Sequence, residues 1–381
     1  MAHFALNEDH IAIREMAQDF AREKIAPFAL EWDEKKHFPV DVIRQTAPLG
    51  LGGIYVREDI GGSGLTRFDA ALIFEALATG CPAISAFISI HNMCAWMIDT
   101  YGSQAQREAF LPRLLSMERL ACYCLTEPGS GSDAAALRTR ATRQGDHYVL
   151  NGQKQFISGA GNDYDFYVVM ARTGDEGPRG ISTFLIEGGT PGLKFGANER
   201  KMGWNAQPTR AVIFEDCRVP AQNRLGEEGV GFKIAMSGLD GGRLNIGACS
   251  LGGAQSALDK ALAYMKERRA FGKRLDEFQA LQFRLADMAT ELEAARTLLW
   301  RAAAALDAHA PDATRLCAMA KRFATDTGFQ VADGALQMFG GYGYLADYGV
   351  EKLVRDLRVH RILEGTNEIM RLIVAREMVG R

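Results

Sequence analysis

Between residues 281 and 306, apolar side chains recur at alternating steps of four and three: Leu281, Leu285, Met288, Leu292, Ala295, Leu299, Ala302 and Leu306. Only a helix keeps such a stripe on one side, and the stripe must be covered by other helices. This part of the chain therefore folds as a coiled helix pair or a four-helix bundle. A second stripe, Leu316, Ala320, Phe323 and Val331, predicts a partner helix from Ala313 to about Met338.

The same test of period divides the rest of the chain. Residues 7 to 120 read as helices, with Ile13, Met16, Ala17 and Phe20 on one face and further segments over 40–49 and 67–79. The stretch Ile84 to Tyr101 is the most apolar of them and predicts burial on more than one side. The Gly-rich DIGGSGL at 59–65 joins two helices. Near Leu120 the period falls to two. Strands are expected at His147–Leu150, Asp165–Arg172, Ile181–Glu187 and Thr209–Phe214, with Asn151-Gly152 and Gly174 to Pro178 as turns. The expected architecture is mainly α with a central β domain: an N-terminal helical domain over 1–120, a small antiparallel barrel or sandwich over 121–228, and a C-terminal helical bundle over 229–381. No βαβ repeat is present.

A chain of 381 residues, 47% of them apolar, can bury a large core. Its formal net charge of -3 and the lack of a Lys/Arg block exclude nucleic acid as the main partner. No run of about eighteen apolar residues and no basic, apolar leader occurs, which predicts neither membrane insertion nor secretion. The expectation is a soluble intracellular protein, of the cytoplasm or, with a leader removed, of the mitochondrial matrix. Seven scattered cysteines without a CxxC pair suit a reducing compartment and free thiols. His360 and Glu364 are four apart but lack a third ligand, so no metal is expected.

Four stretches carry chemistry. In RILEGTNEIMRLI (361–373), Glu364 precedes a helix start: Gly365 frees the turn, Thr366 can cap, and Glu368 suits the first turn. Ile369, Leu372 and Ile373 would hold that helix against the body of the protein. A carboxylate beside apolar surface resists ionising and can act as a general base; an ordinary capping glutamate is the alternative that the turn alone leaves open. Arg376 continues the same face, where a guanidinium needs a ligand or carboxylate, or else snorkels to water. YCLTEPGSGSD (123–133) exposes backbone N–H groups and hydroxyls suited to a pyrophosphate or polar ring, or forms a surface turn. Gly340 and Gly341 in QMFGGYGYLADYGVEKLVRD (337–356) end the long helix and permit close approach. In ERRAFGKRLDEFQ (267–279), Arg268 precedes a break at Gly272 and could reach a phosphate or simply close an exposed helix end. QFISGAG (155–161) is a poor dinucleotide fingerprint, with Tyr164 where the third glycine belongs.

Together these stretches resemble the acyl-CoA dehydrogenase family of flavoproteins over essentially the whole chain. CLTEPGSGSD and QMFGGYGYLADYGVEKLVRD look like its two signature segments, and ILEGTNEI looks like the turn bearing its catalytic glutamate. The resemblance implies FAD. Tyr123, Cys124, Leu125 and Thr126, on to Ser132, would run along the flavin, with Phe156, Ile157 and Ser158 on its other side. Many members have Trp and Thr where this chain has Phe156 and Ser158. Arg268, Phe278, Gln279, Gln337, Gly340 and Gly341 would reach the FAD of a neighbouring subunit in a homotetramer, and Thr366, Asn367 and Glu368 would complete the site.

By the same resemblance, Ser132, Asp240, Gly241, Gly242 and Arg243 would hold the CoA part of an acyl-CoA substrate, and Arg376 would touch substrate. Gly242 stands where some members carry the base, which leaves Glu364. The implied reaction is α,β-dehydrogenation: Glu364 takes the α-proton, the β-hydrogen leaves as hydride to the flavin, and electrons pass to an electron-transfer flavoprotein. FEALATGCPAISAFISIHNMCAWMID and GWNAQPTRAVIFEDCRVP are most similar to members acting on a short branched acyl-CoA of valine breakdown. Short straight-chain or 2-methyl-branched substrates are the alternative within the family; a flavin oxidase or a non-catalytic binding module are the alternatives outside it.

Overall fold

Local capping chemistry starts the N-terminal helices. The Asn7 side chain accepts a hydrogen bond from His10 N (2.8 Å) to open α1 (Glu8–Phe20), which passes through a π-helical turn toward α2 (Ala29–Lys35). The computed structural model describes residues 6–162 and 165–380, so Tyr164 lies outside the described residues. The expected helix over 40–49 is shorter: α3 spans Val40–Arg44, and a 3-10 turn follows at Ala47–Leu49. Pro48 lacks an N–H to continue the ladder, and Gly50 turns left-handed. Thr66 and Asp69 form a capping box for α4 (Arg67–Gly80), α5 (Pro82–Tyr101) begins on a proline, and Ser103 and Gln106 cap α6 (Gln104–Leu115). As expected, α5 is buried on most sides.

Among the described residues, eight strands make one sheet: β1 (Ala121–Cys124), β2 (Arg140–Gln144), β3 (His147–Ser158), β4 (Phe166–Arg172), β5 (Ile181–Glu187), β6 (Leu193–Phe195), β7 (Thr209–Pro220) and β8 (Arg224–Leu225). The order is β6-β7-β3-β2-β4-β5-β8, with β1 parallel to β4. β2 also meets β4 in parallel at one residue pair, and the other pairings are antiparallel. The expected turn at Asn151-Gly152 is instead a bulge inside β3, where the register against β7 shifts between Leu150 and Gly152. A Cβ on Gly152 would press on Thr139, so the glycine marks close backbone approach, the other meaning of a glycine within a strand.

β4 is buried on both faces. Phe166, Val168 and Met170 join a core with α5 and α6, while Tyr167, Val169 and Ala171 join one lined by Tyr148, Leu150, Phe184 and Phe214. His91 of α5 joins that helix to α6 and the first strand. Its Nε2–H donates to the carbonyls of Gly52 and Leu114 (3.1 Å each), and its Nδ1 accepts from Ala121 N (3.1 Å).

The remaining chain is helical: α7 (Gly231–Glu267), a small hairpin of β9 (Arg269–Ala270) and β10 (Lys273–Arg274), then α8 (Gln279–Asp307), α9 (Ala313–Phe339), α10 (Val350–Arg358) and α11 (Asn367–Val379). The seam lies where expected: Met288, Leu292, Ala295, Leu299 and Ala302 are buried, and α7, α8 and α9 pack on one another with α11 along α9. Glycines let α7 pack closely: a Cβ on Gly252 would strike the Glu75 carbonyl of α4, and one on Gly247 would come within 2.5 Å of Leu299 in α8.

One apolar assignment holds at the edge of the core and one differs. Phe323 is only half-buried and lines a groove of about 530 Å³ with Leu298, Met319, Val374 and Met378. On α11 the buried residues are Asn367 and Met370, whereas Leu372 is 42% exposed and Arg376 also faces solvent. The polar bonds of Asn367 to α9 fix the helix's rotation, and apolar spacing carries no information about them. All seven cysteines are free and buried. Among the described residues no helix is long and apolar enough to cross a membrane, and no group of three or more His, Cys, Asp or Glu could hold a metal.

Candidate active site

The chain turns left-handed at two successive residues, Glu364 (φ 56°) and Gly365 (φ 88°), immediately before α11. Thr366 caps that helix by accepting from Ile369 N (3.3 Å). A non-glycine residue in the left-handed region is uncommon and is kept only where the surroundings over-determine it. Here they do. Lys321 of α9 donates to the Gly365 carbonyl (2.7 Å) and to Asn367 Oδ1 (2.9 Å), while Asn367 Nδ2 donates to Asp326 Oδ1 (2.9 Å).

The Glu364 side chain crosses to α7 and α5. A Cβ placed on Gly242 would lie 2.5 Å from Glu364 Oε2 and 3.1 Å from Met93 Sδ, so the carboxylate occupies the space that glycine leaves. Oε2 is shielded from solvent and has no hydrogen-bond partner among the described residues. Burial pushes the carboxyl up to about 7, against the pull of the Arg243 and Lys321 cations. Arg243, also buried, forms an ion pair with Asp240, which accepts from Thr314 Oγ1 (2.9 Å) as well. The Glu364 backbone N–H makes no hydrogen bond among the described residues.

Parity along the first strand decides which predicted residues face this carboxylate. Tyr123 packs toward α7, its hydroxyl 3.4 Å from the Ala235 carbonyl, and Leu125 lies on the same side. Cys124 and Ile157 instead point into the β core, so only their backbone can serve a ligand. Thr126 is half-buried, and its carbonyl accepts from Gln155 N (2.8 Å), which brings the bulge at Phe156 beside it. Phe156 is left-handed (φ 59°) and 63% exposed, an aromatic ring held out from the sheet, with Ser158 half-buried next to it. Glu127 ties the loop down: it pairs with the buried Lys154 (2.7 Å) and accepts from Arg138 N and Thr139 N. Ser132 is exposed at its far end, where Gly129 and Gly131 have open space around them. An exposed aromatic face, two hydroxyls and an open glycine loop next to a shielded carboxylate suit a planar, hydrogen-bonding cofactor such as a flavin.

A second concave region lies elsewhere, at the end of α7. Arg268, Gln337, Gly340 and Gly341 line a groove of about 480 Å³ with Tyr264, Phe339 and Tyr342, the Arg268 guanidinium lying 5.3 Å from the Tyr342 ring centre. Phe278 and Gln279 stand beside the hairpin and do not line the groove. Gly241 abuts Arg67, a buried guanidinium that lies over the Tyr55 and Trp96 rings. Glu368 is exposed, and Arg376 lies on the solvent side of α11; the cations facing Glu364 are Arg243 and Lys321. Met93 belongs to the apolar stretch 84–101 that the sequence already marks as buried, whereas Lys321 escaped the sequence reading. The signal for Lys321 was present, since it shares the buried face of α9 with Cys317, Ala320 and Ala324.

Comparison with known proteins agrees with this fold. The chain matches the N-terminal, middle and C-terminal domains of acyl-CoA dehydrogenases over residues 7–118, 122–217 and 229–379. It is 61% identical over 374 residues to the mitochondrial isobutyryl-CoA dehydrogenase of Dictyostelium discoideum, covering 98% of this chain and 90% of that one. Among solved structures, butyryl-CoA dehydrogenase from Megasphaera elsdenii superposes with a TM-score of 0.96 at 40% identity, covering 99% and 100% of the two chains. A chain from a study of the electron transferring flavoprotein of Acidaminococcus fermentans gives 0.97 at 41% identity, covering both chains fully. The protein belongs to the acyl-CoA dehydrogenase family.

Proposed function

We propose that this chain is an FAD-dependent dehydrogenase of isobutyryl-CoA, forming methacrylyl-CoA, that passes its electrons to an electron-transfer flavoprotein. The observation that carries the reading is the Glu364 carboxylate: shielded, with Oε2 unpartnered, and set over Gly242. The 61% identity to an isobutyryl-CoA dehydrogenase supports the branched substrate, and the family supports FAD.

In the proposed reaction Glu364, ionised, removes the α-proton of the bound thioester. Its free backbone N–H is placed to donate to the thioester carbonyl as negative charge develops there. Met93 and the rest of the α5 wall keep water from the carboxylate, which strengthens each of these interactions. Tyr123 to Thr126, Phe156 and Ser158 would hold the flavin ring, and bound FAD supplies the acceptor for the hydride leaving the β-carbon. The groove at Arg268, Gln337, Gly340 and Gly341 is assigned to the FAD of a neighbouring subunit in a homotetramer. Arg376 is left out of the substrate site, because its helix turns it to solvent.

The test is a kcat/KM panel over isobutyryl-, butyryl-, 2-methylbutyryl- and isovaleryl-CoA, with electron-transfer flavoprotein as acceptor. Isobutyryl-CoA should lead by about tenfold, since a methyl group in an apolar pocket is worth about 1–3 kcal/mol. A lead for another thioester would reassign the substrate, and equal turnover with oxygen alone would favour an oxidase. A second expectation follows from the contact at α7. Gly242→Ala places its methyl against Glu364 Oε2 and should slow anaerobic flavin reduction by about 100-fold with FAD content unchanged, because a misplacement of about 1 Å costs that much. A variant as fast as wild type would show that the carboxylate works from elsewhere.

A further inference from the structure

Lys321 is fully buried, yet among the described residues it makes no ion pair. Its Nζ is bonded to a backbone carbonyl and an amide oxygen, those of Gly365 and Asn367. Neutral donors could serve both, at a lower desolvation cost than a buried ammonium. The charge therefore needs its own explanation.

The groups facing Glu364 come from four elements: Tyr123 from β1, Cys94 from α5, Arg243 from α7 and Lys321 from α9. Arg243 is already matched by Asp240. Around Lys321 the nearby acids are Glu364, Asp326 and Glu368, but Asp326 meets Arg322, Arg361 and Arg371, and the exposed Glu368 meets Arg371. His360, the other titratable group near Lys321, is kept neutral because burial and the Lys321 charge push it down to about 3. What remains, among the described residues, is one buried cation without a counter-ion near a half-buried glutamate whose shielded Oε2 has no donor.

We propose that Lys321 is a positioning residue for the reaction: it clamps the left-handed turn by the carbonyl after Glu364 and, with Arg243, supplies charge that lets the shielded carboxylate ionise. The inference rests on Glu364 being the base. Burial drives Lys321 down to about 7 and Glu364 up to about 7, and each charge draws the other back. The protein thus holds its base near the pH at which it must both accept and release a proton.

The experiment is the pH profile of anaerobic flavin reduction by isobutyryl-CoA in FAD-loaded wild type, Lys321→Gln, Lys321→Met and Lys321→Arg. Wild type should lose rate below about pH 7. Gln keeps a donor and Met keeps length, so at least one neutral variant is expected to load FAD. In it the acid limb should move up by about one unit, because an opposite charge at this range shifts a carboxyl by one or more. Lys321→Arg should leave the limb in place. A purely structural lysine would lower the rate at every pH without moving the limb, and that result in either neutral variant overturns the proposal. Glu364→Gln is measured alongside. If it still reduces its flavin, the base assignment fails; if it is inactive and the limb is unmoved, only the role of Lys321 fails.

Discussion

Glu364→Gln yields a protein that takes up FAD and binds acyl-CoA but reduces its flavin slower by a factor of about 10⁴, the upper range for loss of a general base. Rapid bleaching of that variant by substrate under anaerobic conditions would remove Glu364 from the mechanism. The same substitution should stabilise the fold at alkaline pH. The carboxyl's ordinary value is 4.5 and burial raises it to about 7, so the native state holds the extra proton between those values. Wild-type stability accordingly falls as pH rises through that window and stays lowered above it. Gln removes the cost of ionising a buried acid, at most about 3 kcal/mol, so the gain in Tm should be large near pH 8 and vanish near pH 4.5. Equal melting curves at about pH 8 would mean that the carboxylate is far better solvated than its surroundings indicate.

The second large effect lies in a network that joins all three parts of the chain. Lys352 and Asp356 of α10 form a buried ion pair (2.5 Å); Lys352 also approaches Cys81 Sγ (3.4 Å), and Asp356 accepts from Trp204 N (2.6 Å). The Trp204 indole N–H in turn donates to His360 Nε2 (3.2 Å), four residues before Glu364. Lys352→Met leaves Asp356 buried and unpaired and should cost about 3–5 kcal/mol in urea unfolding. Lys352→Met with Asp356→Leu should recover part of it, since removing both charges avoids the stranded one. A loss below about 1 kcal/mol in the single variant would show that water reaches the pair.

What the sequence made legible, and what it hid, follows from the nature of each signal. The α8 seam is a long repeat, and no competing arrangement hides its apolar side chains. The Glu364 turn could be placed because Gly365 and Thr366 each have a narrow use there. The rotation of α11 was misplaced because apolar spacing finds a face without saying what covers it, and the polar bonds of Asn367 decided the matter. Asn151-Gly152 was read as a turn because such a pair serves hairpins and bulges alike. The inward aim of Cys124 and Ile157 was within reach, since alternation along a strand separates Cys122 and Cys124 from Tyr123 and Leu125. Lys321 was the costliest omission: a lysine among buried alanines is a stronger signal than any of the surface charges.

α7 has one further consequence. It is a single rod that carries Gly242 and Arg243 beside the Glu364 carboxylate and, 25 residues on, ends at Arg268, which in the proposed tetramer would meet another subunit's flavin. At 1.5 Å per residue the two stations are about 38 Å apart, so a tilt of a degree or two at one end displaces the other by about 1 Å. That is the scale on which the wall behind the Glu364 carboxylate is built. The close packing at Gly247 and Gly252 braces this lever along its length, and in the proposed tetramer quaternary alignment would become part of the tolerance to which each active site is held.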